Sequence, residues 1–306
     1  MNFQLDSETL EFKKQARAWV HEVLDPLCAT LEAEERMTEE LVQELKHGRL
    51  PFFGMTIPKE YGGLGWPALK WLSVLEEYAH GYAMLRMVAH TMNGLFWRPL
   101  LDHGTEEQKQ KYLPGLAKGD IWAANSLTEP EGGTGKDINA RAEPDGEYYV
   151  LNGRKWLITQ FPGYTTLFYA FASTPVGMTC FLVDAPAEGL VLLPMERMMG
   201  CQGPRHYNVI YKDLRIHKSQ ILGEEGKGLD VALGMLDKDL EVLQVETEVS
   251  TEYVLTSDLE ALKQKRAVQS EKLLKQAGEL GRFTGRQARE LGFAKYLAAD
   301  RAAVAR

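Results

Sequence analysis

Two short motifs near the middle of the chain carry hydroxyl side chains that could contact one ligand. Residues 126–130 read SLTEP, and residues 154–159 read RKWLIT. Each motif lies in a strand-like segment and contains a Thr, at positions 128 and 159. Two β segments of this kind would offer hydroxyl and amide groups to a planar ligand. Trp156 would then be either a stacking face for that ligand or an ordinary core side chain of a strand.

A glycine-rich loop, EGGTGKD, lies between these motifs at residues 131–137. A P-loop needs a Gly separated by four residues from its Gly-Lys pair, and a Ser or Thr after that pair. Pro130 and Asp137 occupy those two positions, which excludes a P-loop. The loop could still present backbone N–H groups to a phosphate, or it could be an ordinary turn.

Composition and spacing exclude several other classes of protein. The seven His show no H-x-x-x-H or H-E-x-x-H spacing, so no metal site is predicted. None of the three Cys belongs to a C-x-x-C pair, which is typical of a protein from the reducing cytoplasm. The net charge of −8 argues against nucleic acid as a partner. No apolar run approaches the ~18 residues that a membrane span needs.

The elements that must position the two motifs follow from the hydrophobic period. Residues 1–120 have helical spacing, interrupted by a Pro- and Gly-rich loop over 51–67. Residues 121–228 contain short segments rich in β-branched and aromatic residues, which predict an antiparallel β-barrel or sandwich. Residues 229–306 predict helices again. The predicted fold is therefore multidomain α+β, with an N-terminal helical domain, a middle antiparallel β domain and a C-terminal helical segment.

Local signals add detail to this outline. Thr105 and Gln108 have the spacing of a capping box at the start of a helix. Asn152-Gly153 predicts a tight hairpin. The last part of the chain is divided by charge, because residues 238–262 are acidic and residues 263–306 are basic. The favoured interpretation is two solvated helix faces; alternatively, the halves could pair as antiparallel helices, or the basic half could meet an acidic partner.

Five stretches, in order, resemble the acyl-CoA dehydrogenase family. They are IPKEYGGLG (57–65), HGTEEQKQKYLPGLAKGD (103–120), NSLTEP (125–130), LNGRKWLIT (151–159) and YKDLRIHKSQILGEEGKG (211–228). The resemblance covers roughly residues 1–237. It implies a helical domain, a β domain and a C-terminal helical bundle, with FAD bound between the β domain and the bundle.

The resemblance also implies roles for particular residues. Leu127 and Thr128 would face the flavin ring, and Trp156, Ile158 and Thr159 would lie along its other side. Thr134 would lie near a phosphate of the cofactor or of CoA, although EGGTGKD departs from the family's common loop. Ser126 and His206 are candidate substrate contacts.

The implied reaction is α,β-dehydrogenation of an acyl-CoA thioester, in which a base removes the α proton and the flavin takes a hydride. After Asp237 the likeness nearly stops, so the C-terminal segment is expected to be shortened, and the family's usual catalytic Glu is missing. Asp239 and Glu241 are candidate bases; alternatively, they form an acidic helix start.

The resemblance implies an electron-transfer flavoprotein as the electron acceptor and a homo- or hetero-oligomeric assembly. Two other functions remain open from the sequence. The chain could be an inactive or partner-dependent member that binds acyl-CoA or FAD weakly or not at all. It could also be a flavin monooxygenase on the same fold, since a fold does not fix the chemistry.

Overall fold

The computed structural model describes residues 5–34, 36–131, 138–161, 163–196, 205–235, 242–249, 251–255, 259–264 and 266–275. The chain divides into two compact units, and residues 4–235 belong to the larger one. None of the helices in these described ranges combines the length and apolar character that a membrane crossing requires.

The first part of the larger unit is helical, as predicted. Its helices are α1 (Ser7–Trp19), α2 (Cys28–Glu34), α3 (Glu39–His47), α4 (Ala68–Tyr78), α5 (Ala83–His90), α6 (Trp97–His103) and α7 (Glu106–Lys118). π-helical turns at Val20–Leu24 and Thr91–Leu95 extend α1 and α5. The predicted capping box is confirmed: Thr105 Oγ1 accepts from the Gln108 N–H at 3.2 Å, and the Gln108 side chain accepts from the Thr105 N–H at 3.1 Å.

The loop over 51–67 is anchored to the end of α5 by the buried Asn93. Its side-chain oxygen accepts from the Met55 N–H at 2.8 Å, and its amide donates to the Phe52 carbonyl at 2.9 Å. Asn93 therefore satisfies backbone groups that would otherwise be buried without partners. This contact fixes the loop against the π-helical turn Thr91–Leu95.

The middle part of the larger unit is a β domain, also as predicted. In the described residues its strands form one sheet, in the order β6-β7-β3-β2-β4-β5-β8, with β1 paired to β4. The strands are β1 (Trp122–Ser126), β2 (Arg141–Asp145), β3 (Tyr148–Gln160), β4 (Thr165–Ser173), β5 (Met178–Asp184), β6 (Leu190–Pro194), β7 (Arg205–His217) and β8 (Ile221–Leu222). Most pairs are antiparallel, but β1 and β2 pair with β4 in parallel, so the sheet is mixed rather than purely antiparallel.

The helices and the sheet share one hydrophobic core. Tyr169 of β4 is fully buried, and its hydroxyl donates to the carbonyl of Phe96 while the two rings stack with centroids 5.6 Å apart. Trp122 of β1 packs against Phe53, with ring centroids 5.4 Å apart. The Tyr169–Phe96 contact holds the α5–α6 region against β4, and the Trp122–Phe53 contact holds the loop over 51–67 against β1.

The predicted hairpin at Asn152-Gly153 is wrong, because both residues lie inside β3. The turn between β2 and β3 instead contains Gly146, which has a positive φ of 63°. Gly153 is needed for another reason: a Cβ on it would lie 2.7 Å from the Cα of Ala140. A close approach of two backbones selects glycine there, not a turn.

The C-terminal part differs from the expected helical segment. Helix α8 (Gly228–Leu233) ends the larger unit, and the described residues after it form strands β9 (Val242–Thr247), β10 (Thr251–Leu255) and β11 (Val268–Lys275), with one short helix, α9 (Leu259–Lys263). The strands form an antiparallel sheet in the order β10-β9-β11. Segments of the acidic and basic halves do pair antiparallel, but as strands: β9 of the acidic half pairs with β11 of the basic half.

Candidate functional site

A cavity of about 390 Å³ lies between the α5–α6 region and the sheet. Its helical wall comes from the end of α5 and the π-helical turn that follows: Arg86, Met87, His90, Thr91, Leu95 and Phe96. Its strand wall comes from β1, the segment after β1, and the end of β3: Ala123, Asn125, Leu127, Thr128, Leu157, Ile158, Thr159 and Phe161. The two sequence motifs thus meet at one cavity, although 23 residues lie between them in the chain.

A β-bulge in β3 shapes the strand wall. Lys155 pairs with Val209 of β7 and Ile158 pairs with Tyr207, so β3 carries one more residue than β7 between these pairs. Leu157 lies in the bulge with a positive φ of 57°, an unusual conformation for a leucine. Bulges redirect side chains and are common beside active sites. This one brings the consecutive residues Leu157, Ile158 and Thr159 to the cavity.

A buried ion pair fixes the two motifs to each other. Lys155 Nζ lies 2.8 Å from Glu129 Oε1, and the side chains are 0% and 1% exposed. Lys155 also donates to the Leu127 carbonyl at 3.1 Å. In addition, the Trp156 N–H donates to the Thr128 carbonyl at 2.8 Å. The backbone that presents Leu127 and Thr128 is therefore held directly to β3.

Glu129 has two further hydrogen-bond partners, and one of them shares the oxygen that Lys155 contacts. Its carboxylate accepts from the N–H groups of Asn139 at 2.6 Å and Ala140 at 2.9 Å. Burial raises the pKa of Glu129, but the hydrogen bonds from Lys155, Ala140 and Asn139 together outweigh it and lower the pKa. Burial lowers the pKa of Lys155, and the Glu129 carboxylate opposes this. Sequence reasoning missed this pair, since neither residue type nor spacing indicates that the two are neighbours.

The structure brings together four of the six residues predicted to bind the cofactor. Leu127, Thr128, Ile158 and Thr159 line the cavity. Trp156 is half-buried and is not among the lining residues, although its backbone N–H bonds to the Thr128 carbonyl; Leu157, which the sequence did not single out, is among them. Thr134 lies outside the described residues, as do both candidate bases, Asp239 and Glu241.

The two predicted substrate residues occupy different environments. Ser126 is fully buried and accepts a hydrogen bond from the Tyr211 hydroxyl at 2.7 Å, behind the cavity wall. His206 is half-buried on β7, and its Nε2 lies 3.2 Å from Oγ1 of Thr159. Burial lowers the pKa of His206, which favours its neutral form. His206 therefore adjoins the cavity through Thr159, whereas Ser126 supports β1.

The polar groups of the cavity define what it can hold. Thr128 and Thr159 bring hydroxyl groups, and the Asn125 side-chain oxygen is a buried acceptor with no hydrogen-bond partner. Arg86 and His90 bring a cation and an imidazole to the opposite wall. None of the described residues that line the cavity is an Asp or Glu. Nowhere in the described ranges do three His, Cys, Asp or Glu side chains come together as a potential metal site.

Comparisons with known proteins agree with this architecture. Residues 6–120 match the family model described as acyl-CoA dehydrogenase, N-terminal domain, and residues 124–214 match the model of the middle domain of the same family. The chain therefore belongs to the acyl-CoA dehydrogenase family.

Individual relatives show how far the likeness extends. The chain is 34% identical to a 3-(aryl)acrylate reductase of Clostridium sporogenes, over 73% of this chain and 60% of that protein. It is 30% identical to the short-chain specific acyl-CoA dehydrogenase of Clostridium acetobutylicum, over 78% of this chain and 63% of that protein. The chain thus spans about three-fifths of the length of the curated relatives that it matches.

Solved structures give the same result. The butyryl-CoA dehydrogenase of Megasphaera elsdenii superposes with a TM-score of 0.70 and 28% identity, covering 78% of this chain and 64% of that chain. A glutaryl-CoA dehydrogenase of Mycobacterium smegmatis in complex with FADH2 superposes with a TM-score of 0.68 and 26% identity, covering 76% and 59%. The fold of the larger unit is that of the family's first two domains.

Proposed function

We propose that the protein is an FAD-dependent acyl-CoA dehydrogenase that catalyses α,β-dehydrogenation of an acyl-CoA thioester. The observation that carries the proposal is the meeting of Leu127, Thr128, Ile158 and Thr159 at one cavity. These are residues that the family resemblance assigns to the flavin. The names of the relatives from Clostridium acetobutylicum and Megasphaera elsdenii support the same reaction class.

The cavity fits the ring of a flavin in its chemistry. Leu127 and Ile158 supply apolar contacts, Thr128 and Thr159 supply hydroxyl donors, and the buried Asn125 oxygen supplies an acceptor without a partner. A planar ring with an apolar body and polar edges needs such a mixed lining. When bound, FAD would supply the acceptor for the hydride that leaves the β carbon of the substrate. Trp156 and Thr134 are proposed as further contacts to the ring and to a phosphate.

The protein must also supply a base for the α proton and hydrogen bonds to the thioester. Among the described residues no carboxylate lines the cavity, so we assign the base to Asp239 or Glu241. A carboxylate in a dry pocket has its pKa raised towards neutrality and becomes an effective base. Hydrogen bonds to the thioester oxygen stabilise the negative charge that develops there. We keep Ser126 and His206 as the substrate-site candidates, with His206 acting through Thr159.

Electrons would then pass to an electron-transfer flavoprotein, within a homo- or hetero-oligomer. A chain superposing with a TM-score of 0.70 and 28% identity comes from work on the electron transferring flavoprotein of Acidaminococcus fermentans, which fits this partner. The compartment that we propose is the cytoplasm, consistent with the free thiols of Cys28 and Cys180.

The decisive experiment uses the purified full chain. A flavin absorption spectrum, after purification or reconstitution with FAD, is expected, and anaerobic addition of acyl-CoA thioesters should bleach it. A protein that cannot be loaded with FAD would overturn the proposal and favour an inactive member of the family. Incorporation of an oxygen atom from O2 into the product would favour a monooxygenase. Asp239→Asn and Glu241→Gln test the base: one of them should abolish bleaching while the flavin spectrum is retained.

A further inference from the structure

We infer that His206 is a positioning residue for Thr159: its ring decides whether the Thr159 hydroxyl donates or accepts a hydrogen bond at the cavity. The inference rests on the proposed function, in which Thr159 contacts the flavin, and adds to it a control of that contact by a histidine. Nε2 of His206 lies 3.2 Å from Oγ1 of Thr159. The two residues are register partners on β7 and β3, so the pairing of the strands places their side chains beside each other.

The backbone of His206 is held between two neighbouring segments. His206 pairs with Thr159 of β3, and its carbonyl accepts from the Met195 N–H, just beyond β6, at 2.9 Å. Among the described residues, Thr159 is the only one that hydrogen-bonds the imidazole. The ring therefore has a fixed base and a single polar contact, which is a residue of the cavity wall.

The proton of the imidazole limits what Thr159 can do. A hydroxyl has one proton to donate and two lone pairs with which to accept. A neutral imidazole carries its proton on either nitrogen, so Nε2 of His206 can accept from the Thr159 hydroxyl or donate to it. When Nε2 accepts, Thr159 offers a ligand only lone pairs; when Nε2 donates, Thr159 can direct its proton to the ligand. A protonated imidazole allows only the second arrangement, because both of its nitrogens are donors.

Burial of His206 keeps both arrangements open. It lowers the pKa of His206 below the ordinary value of about 6.5, which favours the neutral ring. Next to Thr159, β3 brings only the uncharged Ile158 and Gln160. The titratable side chains on the other neighbouring elements are Glu196 after β6, Arg205 and Tyr207 on β7, and Arg86 and His90 on the opposite wall of the cavity. Burial is the only cause of the lowered pKa, so none of these groups controls the titration of His206.

The proposed reaction needs a contact that works in both senses. A ring edge that takes up a hydride offers a lone pair before the reaction and an N–H group after it. A hydroxyl that can only donate would lose its hydrogen bond in one of these forms, whereas Thr159 beside a neutral His206 can contact both. The change moves the imidazole proton from one ring nitrogen to the other by exchange with water, so it adds no proton to the reaction.

The first test follows His206 itself by NMR of the full chain with labelled histidines. His206→Gln assigns the signal by its disappearance. We expect the wild-type signal to titrate below pH 6.5. Thr159→Val should lower the pKa of His206 further, by about 0.5–1 unit, because the hydroxyl stabilises a charged ring more than a neutral one. Thr159→Ser keeps the hydroxyl and is the matched control, with the wild-type pKa. An unchanged titration in Thr159→Val would overturn the inference.

The second test asks whether this pair reaches the flavin. The absorption spectrum and the Kd for FAD are measured between pH 8 and pH 5. The wild type should show a spectral transition in the pH range where His206 titrates. His206→Gln can still hydrogen-bond Thr159 but does not titrate. It should therefore bind FAD as tightly as the wild type at pH 8 and lack the transition.

His217→Gln is the control for the second test, because this histidine lies on the same strand but contacts Ser219. It should keep the wild-type transition. A transition retained in His206→Gln would overturn the inference, even if acyl-CoA bleaches the flavin and the proposed function holds. If the protein cannot be loaded with FAD, the proposed function fails, whereas a Thr159-dependent pKa of His206 would still support the control of the hydroxyl by the histidine.

Discussion

Lys155 and Glu129 form an ion pair with a distance of 2.8 Å in which neither side chain is more than 1% exposed. The pair joins the two motifs that meet at the cavity. Glu129 also accepts hydrogen bonds from the N–H groups of Asn139 and Ala140, and Lys155 also donates to the Leu127 carbonyl. The role of the ion pair is to position the cavity wall rather than to contact a ligand.

Removing one member of this pair should destabilise the fold. Lys155→Met leaves the Glu129 carboxylate buried without its counter-ion, and we expect the free energy of unfolding to fall by about 3–5 kcal/mol. The double variant Glu129→Gln/Lys155→Met should lose less free energy of unfolding than Lys155→Met alone, because no uncompensated charge remains. Urea denaturation measures both. Lys218→Met, which breaks the exposed pair with Glu147, is the control and should cost less than about 1 kcal/mol. A Lys155→Met variant as stable as this control would contradict the argument.

The bulge at Leu157 predicts an unusual order of stability. Left-handed backbone conformations favour glycine and penalise β-branched residues. Leu157→Val should therefore destabilise the protein by about 1–3 kcal/mol, although valine is closer to leucine in size than glycine is. Leu157→Gly should stay within about 1 kcal/mol of the wild type. Thermal and urea unfolding give the order, and a Gly variant less stable than the Val variant would show that side-chain packing outweighs the backbone.

Gln108 links the helices to the sheet as well as capping α7. It is 4% exposed, and its amide donates to the carbonyls of Ser219 and Ile221, each at 2.8 Å. Gln108→Ala leaves these carbonyls and the Thr105 N–H without this partner, so a loss of about 2 kcal/mol is expected. Gln110→Ala, which removes only an exposed bond to Glu106, should change stability by less than about 0.5 kcal/mol. Comparable losses in the two variants would refute the linking role.

Acid should weaken the contact between α1 and α4 through Glu77. This carboxylate is 1% exposed and accepts two hydrogen bonds from Arg17, at 2.7 and 2.8 Å. Hydrogen bonds from Arg17 lower the pKa of Glu77 more than burial raises it. Because the folded-state pKa lies below the unfolded value, the stabilisation is complete above the unfolded pKa of about 4.3 and is lost as pH falls through the folded pKa.

Glu77→Gln should remove this part of the acid sensitivity. Urea unfolding between pH 7 and pH 3 should show a smaller decrease in stability for the variant than for the wild type. The control is Glu22→Gln, which removes a carboxylate 60% exposed in its pair with Arg49 and should retain the wild-type dependence. If stability falls with pH in Glu77→Gln as steeply as in the wild type, the acid sensitivity belongs to other groups.

Local patterns in the sequence determined the element types of the first two domains. Hydrophobic period separates the helices from the strands, and the Thr105–Gln108 capping box depends on residues three positions apart. The motifs around Thr128 and Thr159 were also recognisable, because each is a continuous stretch. The strands after residue 241 were missed, since neither VLQVET nor VQSEKLLK shows the regular alternation of apolar and polar residues that predicts a strand.

Only the tertiary structure decided which residues share the cavity. The Glu129–Lys155 pair joins positions 26 residues apart, and the register of β3 against β7 creates the bulge that brings Leu157 to the wall. Periodicity and capping act within a few residues, whereas pairing register and burial depend on contacts between distant segments, and these contacts build the site.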